Sequence, residues 1–254
     1  MADPASPSLP DMRSIRSFPG VPGSRPAHLL ASCTALGLLT VATSAQAVST
    51  DGSAALTSDY VWRGTTQTQG DPAVQVGVAL AGDSGFYGSI WGSNVEFAPE
   101  THAGSEFDLT LGWAGALSNS WALDVNLLHY RYPSTTVDLN WTELNGRLAY
   151  ADRYWLSLGY SPKALGSDDD GIYTQVGARF PAGEAFAFEA AAGYYALGDT
   201  HGDSYWHGQA SAIWAVRAPF ELRLTAHATD SAAKRMFGDK LAGGRIEAAL
   251  QASF

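Results

Sequence analysis

The residues able to do chemistry in this chain are charges recurring at alternate positions. Asp59, Asp108, Asp124, Glu143, Glu189, Glu221 and Glu247 supply carboxylates at such positions, and every cation among them is an arginine: Arg63, Arg147, Arg179, Arg223 and Arg245. The three lysines, Lys163, Lys234 and Lys240, all fall between the alternating segments. A guanidinium is a planar fork of donors that bridges carboxylates of neighbouring strands or holds an anionic solute. Charges of both signs on one strand face suit two arrangements. One is an internal ion-pair network filling a narrow lumen. The other is a charged constriction that selects small polar solutes. Asp59 and Arg63 are four residues apart, roughly 13 Å at strand rise, so each is expected to find its partner on an adjacent strand.

Other chemistry has little support. Neither Gly-x-Ser-x-Gly nor His-Glu-x-x-His occurs, so the usual nucleophile and zinc motifs are missing. His102, His201 and Asp199 fall in connecting segments, and His129 and His207 near segment ends. Asp168-Asp169-Asp170 lacks the alternate-ligand pattern of a calcium loop and reads as a solvated loop tip. No catalytic residue, metal or cofactor is expected. The formal net charge of −10 argues against a nucleic-acid binder driven by a basic surface.

The elements that must position these charges are strands. Charged residues make up 16% of the 254, against roughly 25% in average globular chains. Aromatics reach 11%, with 27 glycines, and no apolar run in the body is long enough for a spanning helix. From Gly52 onward the dominant period is two. Twelve segments follow, over 53–63, 73–81, 85–95, 106–116, 120–132, 141–150, 153–161, 171–180, 185–196, 204–216, 219–229 and 244–254. In the second, Val74, Val76, Val78 and Leu80 oppose Gln75, Gly77 and Ala79; in the last, Ile246, Ala248, Leu250 and Ala252 oppose Arg245, Glu247 and Gln251. Segment 85–95 carries aromatics on both faces, and Leu128 and Trp141 are out of phase with their neighbours.

Three patterns separate a membrane barrel from a soluble sandwich, which also alternates. Connections alternate between short (82–84, 117–119, 151–152, 181–183, 217–218) and long (64–72, 96–105, 133–140, 162–170, 197–203, 230–243), as short periplasmic turns and longer outer loops would. Apolar-face aromatics sit at segment ends. Trp113, Trp121, Tyr150, Tyr154, Phe180, Phe186, Trp214, Phe220 and Phe254 fall at the short-turn end, and Tyr60, Trp62, Tyr160, Tyr194 and Trp206 at the long-loop end. Two such girdles match the two bilayer interfaces. Phe254 ends the chain on an alternating strand, a placement similar to the signal read by the barrel-assembly machinery, which makes that machinery an expected partner.

Residues 1–47 read as a secretory signal with an extended n-region. Arg13, Arg16 and Arg25 precede an apolar stretch from Leu29 to Val41, and Ala45-Gln46-Ala47 forms the cleavage signature; Met1 and Met12 both remain possible starts. Cys33 follows Leu30-Ala31-Ser32, but most of the apolar region lies after it, so it reads as a small residue within the signal rather than a lipidation site. The mature chain, 48–254, then has no cysteine and a net charge of −11.

The stretch Leu56-Thr-Ser-Asp-Tyr-Val-Trp-Arg-Gly-Thr-Thr-Gln67, the follow-on Gly70-Asp-Pro-Ala-Val-Gln75, and Ser84-Gly-Phe-Tyr-Gly-Ser-Ile-Trp-Gly-Ser-Asn-Val95 resemble the TorF family of porins, a proteobacterial group. The resemblance covers about 40 residues. It implies an outer-membrane barrel and brings no transported solute.

The sequence therefore predicts an all-β, up-and-down, antiparallel transmembrane barrel of about twelve strands in the bacterial outer membrane. The twelve charges named at the outset are expected to line its lumen. Expected partners are outer-membrane lipid, lipopolysaccharide and small polar solutes, and no nucleic acid. The expected function is passive passage of those solutes. The alternatives are a structural barrel with a plugged lumen, a barrel enzyme acting on lipid or peptide, and a soluble barrel holding an apolar ligand. About eight strands leave a lumen that side chains fill, and about sixteen a wide channel; twelve lie between.

Overall fold

A computed structural model describes residues 48–133, 135–198 and 201–254; the expected signal segment 1–47 lies outside them. Among the described residues fourteen strands follow one another: β1 (Val48–Thr57), β2 (Val61–Trp62), β3 (Thr65–Thr66), β4 (Ala73–Gly82), β5 (Phe86–Asn94), β6 (Ser105–Ala116), β7 (Trp121–Arg131), β8 (Trp141–Tyr150), β9 (Tyr154–Ser161), β10 (Gly171–Ala182), β11 (Phe186–Leu197), β12 (Tyr205–Arg217), β13 (Phe220–Thr229) and β14 (Arg245–Ser253). One short helix, α1 (Ser231–Phe237), precedes the last strand. β1 and β4–β14 close into one barrel, and β2 and β3 form a separate hairpin. Closure runs through β1, which pairs with β4 from Val48↔Gly82 to Thr57↔Ala73 and with β14 from Ser53↔Ser253 to Thr57↔Ala249. Closure leaves the barrel sheet with a neighbour on each side of every wall strand, so its backbone groups find partners within the wall.

The pleat sends successive side chains to opposite faces. On β4, Val74, Val76, Val78 and Leu80 point outward and stay exposed, while Ala73 and Gln75 are buried inside. The same parity exposes Leu109 and Leu111, Leu156 and Leu158, Leu222 and Leu224, and Ile246 and Leu250. An apolar band of this extent has no place in water; it is the surface a barrel presents to lipid. At the short-turn rim, Trp121 packs on Tyr150 (4.8 Å between ring centroids), Tyr154 on Phe180 (6.4 Å) and Phe186 on Trp214 (5.9 Å). At the long-loop rim Tyr194 meets Trp206 (4.6 Å). Both girdles are thus present at these positions.

Two members of the outer girdle are corrected. Tyr60 and Trp62 were expected to face lipid, but they are only 1% and 6% exposed and lie inside the barrel. The first segment does not run from 53 to 63. β1 starts earlier, at Val48, and stops at Thr57, beyond which the chain turns into the lumen as the β2–β3 hairpin. The connection expected as loop 230–243 also differs, for it carries α1. Asp230 caps that helix, its carboxylate accepting from the amide of Ala233 at 3.0 Å. Ala232 and Ala233 are the buried face of the helix itself, and Phe237 packs edge-on against Tyr205 at 5.5 Å.

Candidate functional site

The hairpin explains itself locally. Val61 pairs with Thr66 and Trp62 with Thr65, leaving Arg63-Gly64 as a two-residue turn. Both turn residues have positive φ, 47° and 83°, the conformation that tight hairpin turns require. A Cβ on Gly64 would stand 2.6 Å from side-chain atoms of both His207 and Thr229, so only glycine lets the tip reach the wall at β12 and β13.

Around this tip the loop-side half of the lumen is filled. Trp62 meets Trp141, Tyr130 and Tyr195 at about 6 Å each. Tyr130 and Trp141 stack at 4.2 Å, and Tyr173 packs edge-on against Tyr195 at 5.8 Å. Tyr60, Trp91, Tyr132 and Tyr205 complete the cluster, with Ala164, Ala233 and Ala242 brought down by the outer loops. The Arg63 guanidinium lies within this plug. Its carbon is 3.8 Å from the ring centre of Tyr173, 4.3 Å from Trp62 and 4.6 Å from Tyr195. Its Nη2 donates to both oxygens of Glu143, at 2.8 and 2.9 Å, and Tyr130 donates to Glu143 at 3.3 Å.

The other expected charges divide between this plug and the turn-side half. Asp59, just past the end of β1, accepts from Arg245 at 3.0 Å and from the hydroxyls of Thr66 and Thr68. Asp59 and Arg63 therefore do find separate partners. Asp59 takes Arg245 on the adjacent β14. Arg63 reaches β8, five strands round the barrel, because it stands on an inserted hairpin and not on the wall. Glu247 accepts from Thr57 at 2.8 Å and faces His227 at 2.9 Å. Asp108 is fully buried on β6 beside Glu106, a carboxyl absent from the sequence-based set, and Tyr132 donates to Glu106 at 3.2 Å.

In the turn-side half, Glu189 bridges two arginines, accepting from Arg179 and Arg223 at 2.8 Å each. Glu221 is buried nearby on β13. Asp124 accepts from Tyr87 at 2.9 Å and from Asn126 at 2.7 Å. Its direct register partner is Arg147, which also lies over Trp155 at 4.7 Å. All twelve expected residues thus point into the barrel or lie within it.

A cavity of about 620 Å³, counting the part open to solvent, runs beneath the plug. Arg63, Tyr130, Glu143 and Tyr173 form its plug side; Tyr87, Ser89, Thr110, Asn126, Asn145, Arg147, Ser157 and Gln175 stand around the rest, with Leu128, Gly146 and Leu158 among them. Hydroxyls, amides and one arginine stand there beside aromatic rings and two leucines. The aromatic plug was missed in the sequence, yet its signal was there. Leu128, Trp141, Tyr87 and Trp91, which broke the parity of their segments, all point inward and are buried.

Ser167 and His201, from two outer loops, approach to 2.9 Å. The Ser167 hydroxyl also bonds the carbonyl of Ala164 at 2.8 Å and accepts from the amide of Asp169 at 3.1 Å. It ties loop backbone together and is not poised as a nucleophile. Among the described residues no group of three or more His, Cys, Asp or Glu side chains could hold a metal ion. Asp168 is exposed, 3.0 Å from Lys163, as a loop tip would be.

A family model described as a bacterial protein of unknown function (Gcw_chp) matches residues 41–252. No curated protein matches. Among solved structures, the NanC porin aligns with a TM-score of 0.54 at 10% identity, covering 81% of this chain and 99% of its own. The KdgM porin in complex with disordered oligogalacturonate aligns at 0.53 and 8% identity, covering 82% and 99%. A second KdgM porin structure aligns at 0.51 and 8%, with the same coverage. At these identities the likeness is one of fold.

Proposed function

This chain belongs to the Gcw_chp family of bacterial proteins, and we propose that it is a porin-like channel of the bacterial outer membrane. It passes small polar solutes through a narrow, charge-lined lumen that the β2–β3 hairpin obstructs in this conformation. The observation that carries the reading is the cavity beneath the hairpin, where Ser89, Asn126, Asn145 and Arg147 stand among rings and leucines, inside a barrel whose outer face is apolar. A barrel built only for strength needs no solvent-lined space. The motif resemblance to the TorF porins supports the same assignment. In this reading residues 1–47 are a signal removed on export, the short turns face the periplasm, and the acidic outer loops meet lipopolysaccharide. Phe254, exposed at the end of the chain, is the contact for the assembly machinery.

A second reading, a structural barrel closed for good, is favoured by the aromatic plug and by the pairing of Arg63, Arg179, Arg223 and Arg245 with carboxylates. Planar-bilayer recording of the refolded protein, with a panel of small ions and neutral sugars, decides between them. The channel reading expects discrete openings, selective by size and charge. A silent wild type that stays silent when the hairpin is deleted removes it and leaves the structural barrel.

A further inference from the structure

We propose that the seat of Arg63 is a recognition site for an organic cation, a guanidinium or an alkylammonium, which the chain fills with its own side chain until a solute displaces it. The inference deepens the channel reading and rests on it for the consequence of displacement, which is opening; occupancy of the seat is measurable without passage.

The carboxylate and two of the three rings of the seat belong to the barrel wall; the third ring, Trp62, comes with the hairpin. Glu143 comes from β8, Tyr173 from β10 and Tyr195 from β11. One buried carboxylate and two tyrosine ring faces within 5 Å of the guanidinium carbon are the elements that attract a flat or rounded organic cation. A hard metal ion would need several oxygen ligands, and only Glu143 among the seat's groups is a carboxylate. Gly159 keeps the carboxylate in place, since a Cβ there would stand 2.7 Å from its Oε1.

The occupant is held by side chains, with few backbone ties. The hairpin has two rungs of pairing. Its backbone is tied to the other loops by the Thr66 amide donating to Leu241 and by the Glu96 amide donating to Gln67, at 3.0 and 2.7 Å. Its two ends join β1 and β4 where Thr57 pairs with Ala73, so it can swing out without breaking a barrel strand. Arg63 also fits its seat imperfectly, because its Nη1 is buried without a hydrogen bond. The cavity below is lined by Arg63, Glu143 and Tyr173 themselves, so a solute in the lumen reaches the seat directly.

The test titrates ethylguanidinium, a copy of the arginine tip, into refolded Arg63→Ala in detergent by calorimetry, with ethylurea as the neutral isostere. Ethylguanidinium is expected to bind Arg63→Ala at least about tenfold more tightly than wild type. Ethylurea should bind neither, and Arg63→Ala/Glu143→Gln should lose the gain. A second protein, with residues 60–68 replaced by a Gly-Ser turn, keeps the three wall residues and should bind as Arg63→Ala does. Equal affinity in wild type and in both variants, or ethylurea binding as well as the cation, overturns the proposal. Bilayer recordings separate it from the channel reading. A variant that binds the cation but never conducts keeps the seat and removes the channel. One that conducts but does not bind keeps the channel and removes the seat.

Discussion

On β10, Tyr173 and Arg179 share one face, six residues apart, yet they live in different surroundings. Tyr173 is packed among Tyr195, His207 and the Arg63 guanidinium, whereas Arg179 shares a carboxylate with Arg223. The loop-side half of the lumen is built like a protein core, packed and aromatic, with the Arg63–Glu143 pair at its lower edge, against the cavity. The turn-side half is held by shared charges, Glu189 serving two arginines that are as buried as Arg63. The difference teaches how one barrel fills its two ends by different chemistry. Strand parity sets which residues face inward, and residue type at each level decides how that level is filled.

The halves should respond unequally when a charge is removed. Glu143→Ala strips the buried Arg63 guanidinium of the carboxylate it is paired with, and breaking such a pair costs about 3–5 kcal/mol. Arg179→Ala leaves Glu189 bonded to Arg223 and should cost less, near the value of one charged hydrogen bond, about 1.5–3 kcal/mol. Unfolding in detergent against urea measures both, and equal losses would break the comparison. Val76→Arg tests the wall that the halves share. Placed against lipid near the midplane it should cost about 2–4 kcal/mol, while Gln75→Arg, facing the lumen, should be far milder. The same refolding series reads the contrast, and a reversed order would overturn the facing of β4.

A smaller effect sharpens the loop-side half. The Tyr173 hydroxyl is hydrogen-bonded to His207 Nε2 at 2.8 Å and accepts from Gln175 at 3.0 Å. Tyr173→Phe should lose about 1 kcal/mol while leaving the ring over Arg63, so stability falls slightly and the stacking on the guanidinium is kept. The smallest effect lies at the rim. Hydrogen bonding to Arg235 at 2.6 Å holds the Asp203 carboxyl below its ordinary value. A depressed carboxyl stabilises the fold above its unfolded value, and that contribution fades as pH falls through the lowered one. Protection of the Ser204 amide relative to its intrinsic exchange rate, its N–H donating to Asp203 at 2.9 Å, should therefore fall only under acid conditions, and protection unchanged in acid would remove the tie.

Much of the barrel was legible because a strand has a two-residue period and lipid demands an apolar face, so Val74 to Leu80 and Ile246 to Leu250 announce their sides. The alternation of short turns and long loops, and the aromatics from Trp121 to Phe220 at the turn rim, were legible for the same reason. The site was legible only as a set of inward charges. Its pairing was not, because an alternating pattern places Glu189 on a face without saying which arginine stands beside it. The parity breaks at Leu128 and Trp141 marked inward apolar residues, but nothing local says what they pack against.

By itself, then, the sequence determined an all-β barrel with charged residues inside, because hydrophobic parity and turn length are local properties. Only the tertiary structure decided the fate of residues 58–72. Tyr60 and Trp62 alternate as a lipid-facing strand end would, and the same spacing serves a hairpin folded inward. The choice lies with Glu143, 80 residues away, and with Tyr173 and Tyr195 on other strands. Those groups meet Arg63 only once the barrel has closed, and only then does a buried guanidinium find the carboxylate and rings that make its burial favourable.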